Sequence, residues 1–242
     1  MPVCSPDRSV APSGPTVLCA NSAHLDEIVQ IHLESFRGFF LTSLGSAFLR
    51  ELYRAFLFEP SGLCLVAIEH ERVLGFVAGT TQPEGFFRRL LLNRWPAFLL
   101  TGATGLAMHP IRVGKKFYSA LRYRGEGPAD VPNATLLSSI GVAPSKAGLG
   151  IGNTLLNAFC KRAQTAGSST VFLTTDRELN QAVNGFYLSN GFRLHSSFQK
   201  EPGRCMNLYT RVLETELAAD RRSPLLHNPR SWGEGPDAEE RV

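Results

Sequence analysis

Apolar positions along this chain alternate between runs of period two and stripes of period three to four, and that alternation predicts its elements. A first strand is expected over 16–21. Ser22 then serves as N-cap, Asp26 and Glu27 sit in the opening turns, and Leu25, Ile28, Val29, Ile31 and His32 give one helical stripe. Phe36, Phe39, Phe40 and Leu41 form an aromatic connection to a second helix carried by Phe48, Leu49, Leu52, Tyr53 and Phe56. The runs 64–70 and 73–81 read as a hairpin turning at Glu71 and Arg72. Beyond residues 82–132, which fit no simple pattern, further strands are predicted over 133–142, 170–175, 192–198 and 204–211. Helices fall between them, one with Leu155, Leu156, Ala158, Phe159 and Ala163 inward and a short one ending at Gly191. The order is β-α-α-β-β-(insert)-β-α-β-α-β-β.

The most informative stretch is 136–156, LLSSIGVAPSKAGLGIGNTLL. A β-branched, apolar run ends at Val142, Pro144 breaks it, and glycine recurs at Gly148, Gly150 and Gly152 before a helix begins. Glycines let the backbone come close to a ligand, and the first helical turn offers unpaired N–H groups with a partial positive charge. The expected ligand carries a phosphate or pyrophosphate. Two familiar glycine loops do not fit: Asn153-Thr154 follows Gly152 where a P-loop needs lysine, and every-second spacing is not G-x-G-x-x-G. The bland alternative is glycine for close helix–sheet packing.

The pattern V-x-P-x-x-x-G-x-G-x-G, from Val142 to Gly152, resembles motif A of the GNAT N-acetyltransferase superfamily. A second segment, 171–192, resembles that family's N-x-x-A-x-x-L/F-Y-x-x-x-G-F, with Asn180, Phe186, Tyr187, Gly191 and Phe192 in register and Val183 where alanine is usual. The resemblance implies an α/β (α+β) fold, a mixed, mostly antiparallel sheet flanked by helices and splayed after the fourth strand; the long insert between strands three and four, expected to be helical, is where this chain departs from the family's usual short connection. The resemblance also implies acetyl-CoA as co-substrate. Ile140, Gly141 and Val142 would serve its pantetheine arm and thioester, and Ala147, Gly148, Leu149, Gly150, Ile151, Gly152 and Asn153 its pyrophosphate. Asn180 would contact it as well, and Tyr187 would protonate the leaving thiolate; as a residue, Tyr187 also reads as a packing aromatic. One departure stands out: Ala147 replaces the Arg or Gln usual there, with Lys146 adjacent.

The general base is not legible. Ser138 and Ser139 stand where some relatives carry a carboxylate, which leaves His32, Glu34, Glu69, His70, Asp176 or a water relay.

Composition narrows the class. With 43% hydrophobic and 19% charged residues among 242, the chain suits a globular protein with one sizeable core. The expected division is a flexible segment 1–15, an acetyltransferase domain 16–213 and a disordered tail 214–242. Cys4, Cys19, Cys64, Cys160 and Cys205 are scattered without a C-x-x-C pair, which suits a reducing cytoplasm and no metal site; Cys160 and Cys205 are expected as buried thiols. Neither a signal-like h-region nor a run of ~18 apolar residues is present.

The insert 82–132 changes the picture most. Arg88, Arg89, Arg94, Arg112, Lys115, Lys116, Arg122 and Arg124 face Glu84, Glu126 and Asp130, a net of +5 against +4 for the whole chain. Trp95, Phe117, Tyr118 and Tyr123 are interleaved with them. Three readings stand: a substrate lid, a membrane-peripheral surface for anionic or lipid-linked molecules, or a helical hairpin with solvated arginines. No nucleic-acid reader motif accompanies the charge. The function implied is acetyl transfer to a primary amine of a small molecule. FRGFFLTSLG (36–45) also looks like acetyltransferases of bacterial surface glycans, which suggests an amino sugar on a nucleotide or lipid carrier. Protein N-terminal or lysine acetylation and a non-catalytic acyl-CoA sensor are the alternatives, and the oligomeric state stays open.

Overall fold

The structure is a computed structural model, and it describes residues 14–93, 131–200 and 203–213. The expectations for 1–13, most of the basic insert (94–130) and the tail 214–242 lie outside the described residues. In chain order the elements are β1 (Thr16–Cys19), α1 (Leu25–Ser35), α2 (Phe40–Ser43), α3 (Ser46–Phe58), β2 (Gly62–Glu69), β3 (Arg72–Thr80) and α4 (Phe86–Asn93). They continue with β4 (Ala134–Val142), α5 (Ile151–Thr165), β5 (Thr170–Asp176), α6 (Gln181–Ser189), β6 (Arg193–Lys200) and β7 (Arg204–Val212). One seven-stranded sheet runs β1-β2-β3-β4-β5-β7-β6. Every neighbouring pair is antiparallel except β4–β5. The mixed, mostly antiparallel sheet expected from the sequence is what forms.

Two boundaries shift for local reasons. Asn21, not Ser22, caps the first helical segment: its Oδ1 accepts the Ala23 N–H at 2.9 Å, and His24 Nδ1 accepts the Asn21 N–H at 3.1 Å. This reciprocal cap draws Asn21 out of β1, which ends at Cys19. The β2–β3 hairpin turns at His70 and Glu71, with φ of 47° and 61°, one residue earlier than expected. A two-residue primed turn needs positive φ at both positions, and Arg72 is thereby free to pair with Glu69 in the ladder.

Alternation along the central strands feeds two helical layers. Cys64 and Val66 of β2 and Phe76 and Ala78 of β3 pack under α1, α3 and α4. Leu65 and Ala67, with Val77, pack on the other face against Leu155, Leu156 and Phe159 of α5. The described start of the insert joins the first layer: Phe86 and Leu90 are buried, with the Phe86 ring 5.0 Å from that of Phe56. Arg88 and Arg89 are exposed. This portion of the insert is core elaboration. No helix among the described residues is long and apolar enough to cross a membrane.

Between α1 and α3 the first layer encloses a histidine ring. His32 is 3% exposed, its ring tilted against that of Phe36 with centroids 4.6 Å apart, and its Nδ1 lies 2.6 Å from the Tyr53 hydroxyl. Its Nε2 is sealed without a partner among the described residues. Burial penalises the imidazolium and lowers the pKa from 6.5 to about 4, so the ring is neutral near pH 7. A depressed histidine pKa means the unfolded chain binds the proton first. This stabilisation is complete above pH 6.5, falls as pH drops from there to about 4, and changes no further below. The size is on the order of 3 kcal/mol. Urea unfolding at pH 7, 5.5 and 4 should show a steeper loss of stability for the wild type than for His32→Asn; parallel curves would mean that His32 is not buried neutral.

Candidate active site

The site begins where the sheet parts. Ala134, Thr135 and Leu136 of β4 pair with Thr170, Val171 and Phe172 of β5, and the pairing then stops. On its other edge β4 stays with β3 as far as Val142 opposite Gly75. The register slips there between Ala78, opposite Ser139, and Gly79, opposite Leu137, which leaves Ser138 as a bulge. A bulge bends its strand and raises the local twist, and this one lies just past the last β4–β5 pair. Residues 137–142 thus present an edge with no strand beside it among the described residues.

Ile140, Gly141 and Val142, singled out from sequence, all lie on this free stretch. Gly141 is tightly packed: a Cβ there would come within 3.0 Å of the Phe76 ring and 3.4 Å of Phe36. The Val142 carbonyl accepts the Ser35 hydroxyl at 3.1 Å, tying β4 to the end of α1. The chain then makes a tight turn, with Lys146 N–H on the Ala143 carbonyl and Ala147 N–H on that of Pro144. The Ala147 N–H is therefore engaged, and the free donors begin one residue later.

From Gly148 to the helix the backbone is shaped by two positive-φ glycines, Gly148 at 80° and Gly150 at 77°. Open space surrounds both, so conformation rather than crowding requires glycine at each. Gly150 is the N-cap of α5 and offers no side chain to the helix. Thr154 N–H is the first to find a helical acceptor, the Gly150 carbonyl at 3.1 Å. The N–H groups of 148–153 have no acceptor among the described residues. No acidic side chain stands in the first turn to neutralise them. Leu149 is exposed and Ile151 is buried in the α5 layer. Such a run concentrates the positive end of the helix dipole and its orphan donors at one place, an arrangement suited to an anion. Lys146 is not idle beside it: Nζ lies 3.6 Å from Glu69 Oε2.

Gly152 has a different task. A Cβ there would meet the Phe186 ring at 3.3 Å, so this glycine lets α6 close on the start of α5. The close-packing reading of the glycines therefore holds for Gly152, and the ligand-approach reading suits Gly148 and Gly150. Asn190, at the end of α6, completes the junction by donating to Asn153 Oδ1 at 3.1 Å.

α6 is held from below by polar groups. Asn180, its N-cap, donates to Thr175 Oγ1 at 2.7 Å and to the Asp176 carbonyl at 3.1 Å. One turn on, Asn184 donates to the carbonyls of Asp176 and Asn180, while its Oδ1 receives Tyr209 Oη at 2.8 Å and Asn207 Nδ2 at 3.1 Å. Ser197 donates to Asn207 Oδ1 and joins β6 to the set. The amide nitrogen of Asn180 thus fixes the β5–α6 corner. Sequence reasoning missed Asn184, Asn207 and Tyr209; the one local signal was asparagine repeating at i+4 from Asn180.

On this rigid helix sits Tyr187, its ring 6% exposed among Phe186, Phe192 and Tyr209, with centroids 5.2, 5.6 and 6.2 Å away. Its hydroxyl has no hydrogen-bond partner among the described residues, yet it is not a sealed atom. Burial pushes the phenol pKa upward, which keeps its proton on near neutral pH. Packing ring and available proton coexist in one side chain.

The candidate bases do not gather at the splay. His32 is sealed, and Glu34 accepts from Gln30 at 2.6 Å. Glu69 pairs with Lys146, and His70 forms the hairpin turn. Asp176 is clamped by Arg204 Nε and Nη2 at 2.6–3.0 Å. Cys160 is buried as expected and its thiol pKa is raised by burial, whereas Cys205, near the start of β7, is half-buried rather than buried. No cluster of metal-binding side chains occurs among the described residues.

Comparison with known proteins agrees with this geometry. The structure resembles the ribosomal-protein-S18-alanine N-acetyltransferase of Escherichia coli at TM-score 0.51 and 12% identity, over 83% of this chain and 95% of that one. It resembles aminoglycoside 6'-acetyltransferase type Ii at 0.54 and 12%, over 83% and 98%. A spermidine N-acetyltransferase chimera from Vibrio cholerae and hSSAT gives 0.54 and 14%, over 83% and 96%. At such identities these likenesses show a shared fold. No curated protein matches the sequence. The family model described as Acetyltransferase (GNAT) family matches residues 25–192, a span that includes the parted β4, the glycine turn and the Tyr187 helix, and the chain belongs to the GNAT family of acetyltransferases.

Proposed function

We propose that the protein moves the acetyl group of acetyl-CoA onto a primary amine of a small molecule by direct attack in a ternary complex. The observation that carries this reading is the unengaged N–H run of 148–153, set in line with the free edge of β4. A pyrophosphate on that run leaves an extended arm to lie along Ile140, Gly141 and Val142, which brings the thioester toward Tyr187. The arm's amides can pair with the free strand edge as an added strand would. Tyr187 then gives its proton to the departing thiolate, which needs a neutral phenol with an unengaged hydroxyl.

The relatives by fold are named for amine acceptors: a ribosomal protein's alanine, an aminoglycoside and spermidine. An amino sugar remains our first choice of acceptor, and the first assay is a panel of amino sugars, nucleotide-linked amino sugars, polyamines and N-terminal peptides. CoA release with one class and not the others identifies the acceptor. Binding of acetyl-CoA without turnover on any member would favour the sensor reading.

Two substitutions test the assigned residues. Gly150→Val puts a branched side chain at φ 77° and into the space where an anion would approach. Calorimetry should give CoA binding at least tenfold weaker, with circular dichroism unchanged; wild-type affinity would remove the pyrophosphate from this turn.

Tyr187→Phe keeps the ring among Phe186, Phe192 and Tyr209 and removes only the proton. With the best amine of the panel, kcat should fall by about 10²-fold while KM for acetyl-CoA stays level. A variant that turns over normally would make Tyr187 a packing residue.

A further inference from the structure

Two tyrosine rings lie 6.2 Å apart beneath α6, and their hydroxyls are differently placed. Tyr187 Oη has no partner among the described residues, whereas Tyr209 Oη donates to Asn184 Oδ1 at 2.8 Å. Tyr209 is 3% exposed and stands on β7, opposite Leu173 of β5 on one side and Leu194 of β6 on the other. Two residues before it, on the same face of β7, Asn207 is also buried. Asn184 and Tyr187 are three residues apart, hence neighbours on one side of α6. Asn184 is therefore joined to Tyr187 twice, along the helix and through the Tyr209 ring. Of the three rings packed on Tyr187, Phe186 and Phe192 are held by packing alone. Tyr209 alone is hydrogen-bonded to the helix that carries Tyr187.

Every proton of this set has one place. Asn184 Nδ2 donates to the carbonyls of Asp176 at 3.0 Å and Asn180 at 2.8 Å. Carbonyls only accept, so the amide nitrogen must face them and Oδ1 must face β7. Oδ1 in turn only accepts, so the Tyr209 proton is committed to Asn184. Asn207 Nδ2 takes the second place on Oδ1 at 3.1 Å, and Asn207 Oδ1 receives the Ser197 hydroxyl at 2.8 Å. Both donors and both lone pairs of the Asn184 amide are then in use. A polar network satisfied in this way holds its members in a single arrangement. Tyr209 cannot serve as an acid without breaking it, and Tyr187 can.

We propose that Tyr209 and Asn184 are positioning residues for the proton transfer: their hydrogen bond sets the spacing of α6 from β7 and so holds the Tyr187 hydroxyl where the thiolate departs. This rests on the acetyl-CoA reading above. As the amine nitrogen bonds to the carbonyl carbon, the carbon–sulfur bond breaks with its electron pair on sulfur. The Tyr187 proton passes to that sulfur. The new amide nitrogen releases its extra proton, and the phenolate takes one back. Tyr209 keeps its own proton on Asn184 throughout. Proton transfer needs close approach of its two heavy atoms, and misplacement by about 1 Å can cost about 10²-fold in rate.

A double-mutant cycle on the full chain tests this. Tyr209→Phe keeps the ring against Tyr187 and removes only the hydroxyl, while Asn184→Ala removes the acceptor at the other end. With acetyl-CoA and the acceptor from the panel, either should lower kcat about tenfold at level KM for both substrates. The solvent deuterium isotope effect on kcat should rise with it, because proton transfer then limits turnover. Placed in Tyr187→Phe, whose proton is already gone, either substitution should cost less than about twofold. Equal losses in the two backgrounds would show that the pair only supports the fold, and they overturn the proposal. A wild-type kcat in Tyr209→Phe overturns it as well. Should Asn184→Ala fail to fold by circular dichroism, Tyr209→Phe decides alone, since Asn207 still serves Asn184 Oδ1 in that variant. Each of these results leaves acetyl-CoA binding by the wild type intact. Absence of that binding overturns the functional reading, and the proposal falls with it.

Discussion

Everything in this molecule's site depends on one parallel strand pair that is cut short. β4 and β5 share only Ala134, Thr135 and Leu136 with Thr170, Val171 and Phe172. The joint is firm where it exists. Thr135 and Ser168 share a buried hydroxyl contact at 2.6 Å, and Ser169 N–H reaches the Asn133 carbonyl at 3.1 Å. Past the joint β5 is committed to β7 along its whole length, and the Ser138 bulge re-aims β4. Two well-paired half-sheets therefore diverge from a fixed hinge. The lips of the gap carry the free β4 edge, the glycine turn and α6. A full-length β4–β5 ladder would close all three.

The two sides of the gap are rigid by different means. On the α5 side, helix closes on helix through Gly152 and Phe186, and α6 stands on the asparagine set of Asn180, Asn184 and Asn207. Each amide there has more than one partner, so loss of any one leaves others unsatisfied beneath the helix that carries Tyr187. On the α1–α3 side the rigidity is aromatic, with Phe36, Tyr53, Phe56, Phe76 and Phe86 in ring contact around His32. Packing of this kind tolerates few buried polar atoms. The His32–Tyr53 pair is conspicuous for that reason.

What the sequence made legible is what depends on neighbours along the chain. The strand–turn–helix of 136–156 could be read because positive φ demands glycine locally and an uncapped helix start needs no distant partner. The hairpin could be read from its two apolar runs, although the turn fell one residue early once φ at His70 and Glu71 was known. Asn21 against Ser22 was decided by His24 three residues on, a reciprocal cap that glutamate or glutamine usually signals. The Ser138 bulge was hidden because it is a relation between β4 and β3, not a property of either. The same holds for Asn207 and Tyr209, which meet Asn184 only after β7 has crossed beside β5. The missing general base has a structural reason too: Glu34, Glu69 and Asp176 are each engaged by a partner.

The departure at Ala147 is best judged on the same physical grounds. An arginine or glutamine at that position would add a side-chain donor to the turn. The donors found here are main-chain groups of 148–153, fixed by the φ of Gly148 and Gly150. Main-chain donors are indifferent to which side chain stands at 147, provided the turn that precedes them holds. That turn is made by Lys146 and Ala147 N–H on the carbonyls of Ala143 and Pro144, and the exposed Lys146–Glu69 pair adds to it only weakly. In the proposed reading, backbone geometry and the helix dipole would thus supply the anion site, and the absent side chain removes an addition to it rather than its basis.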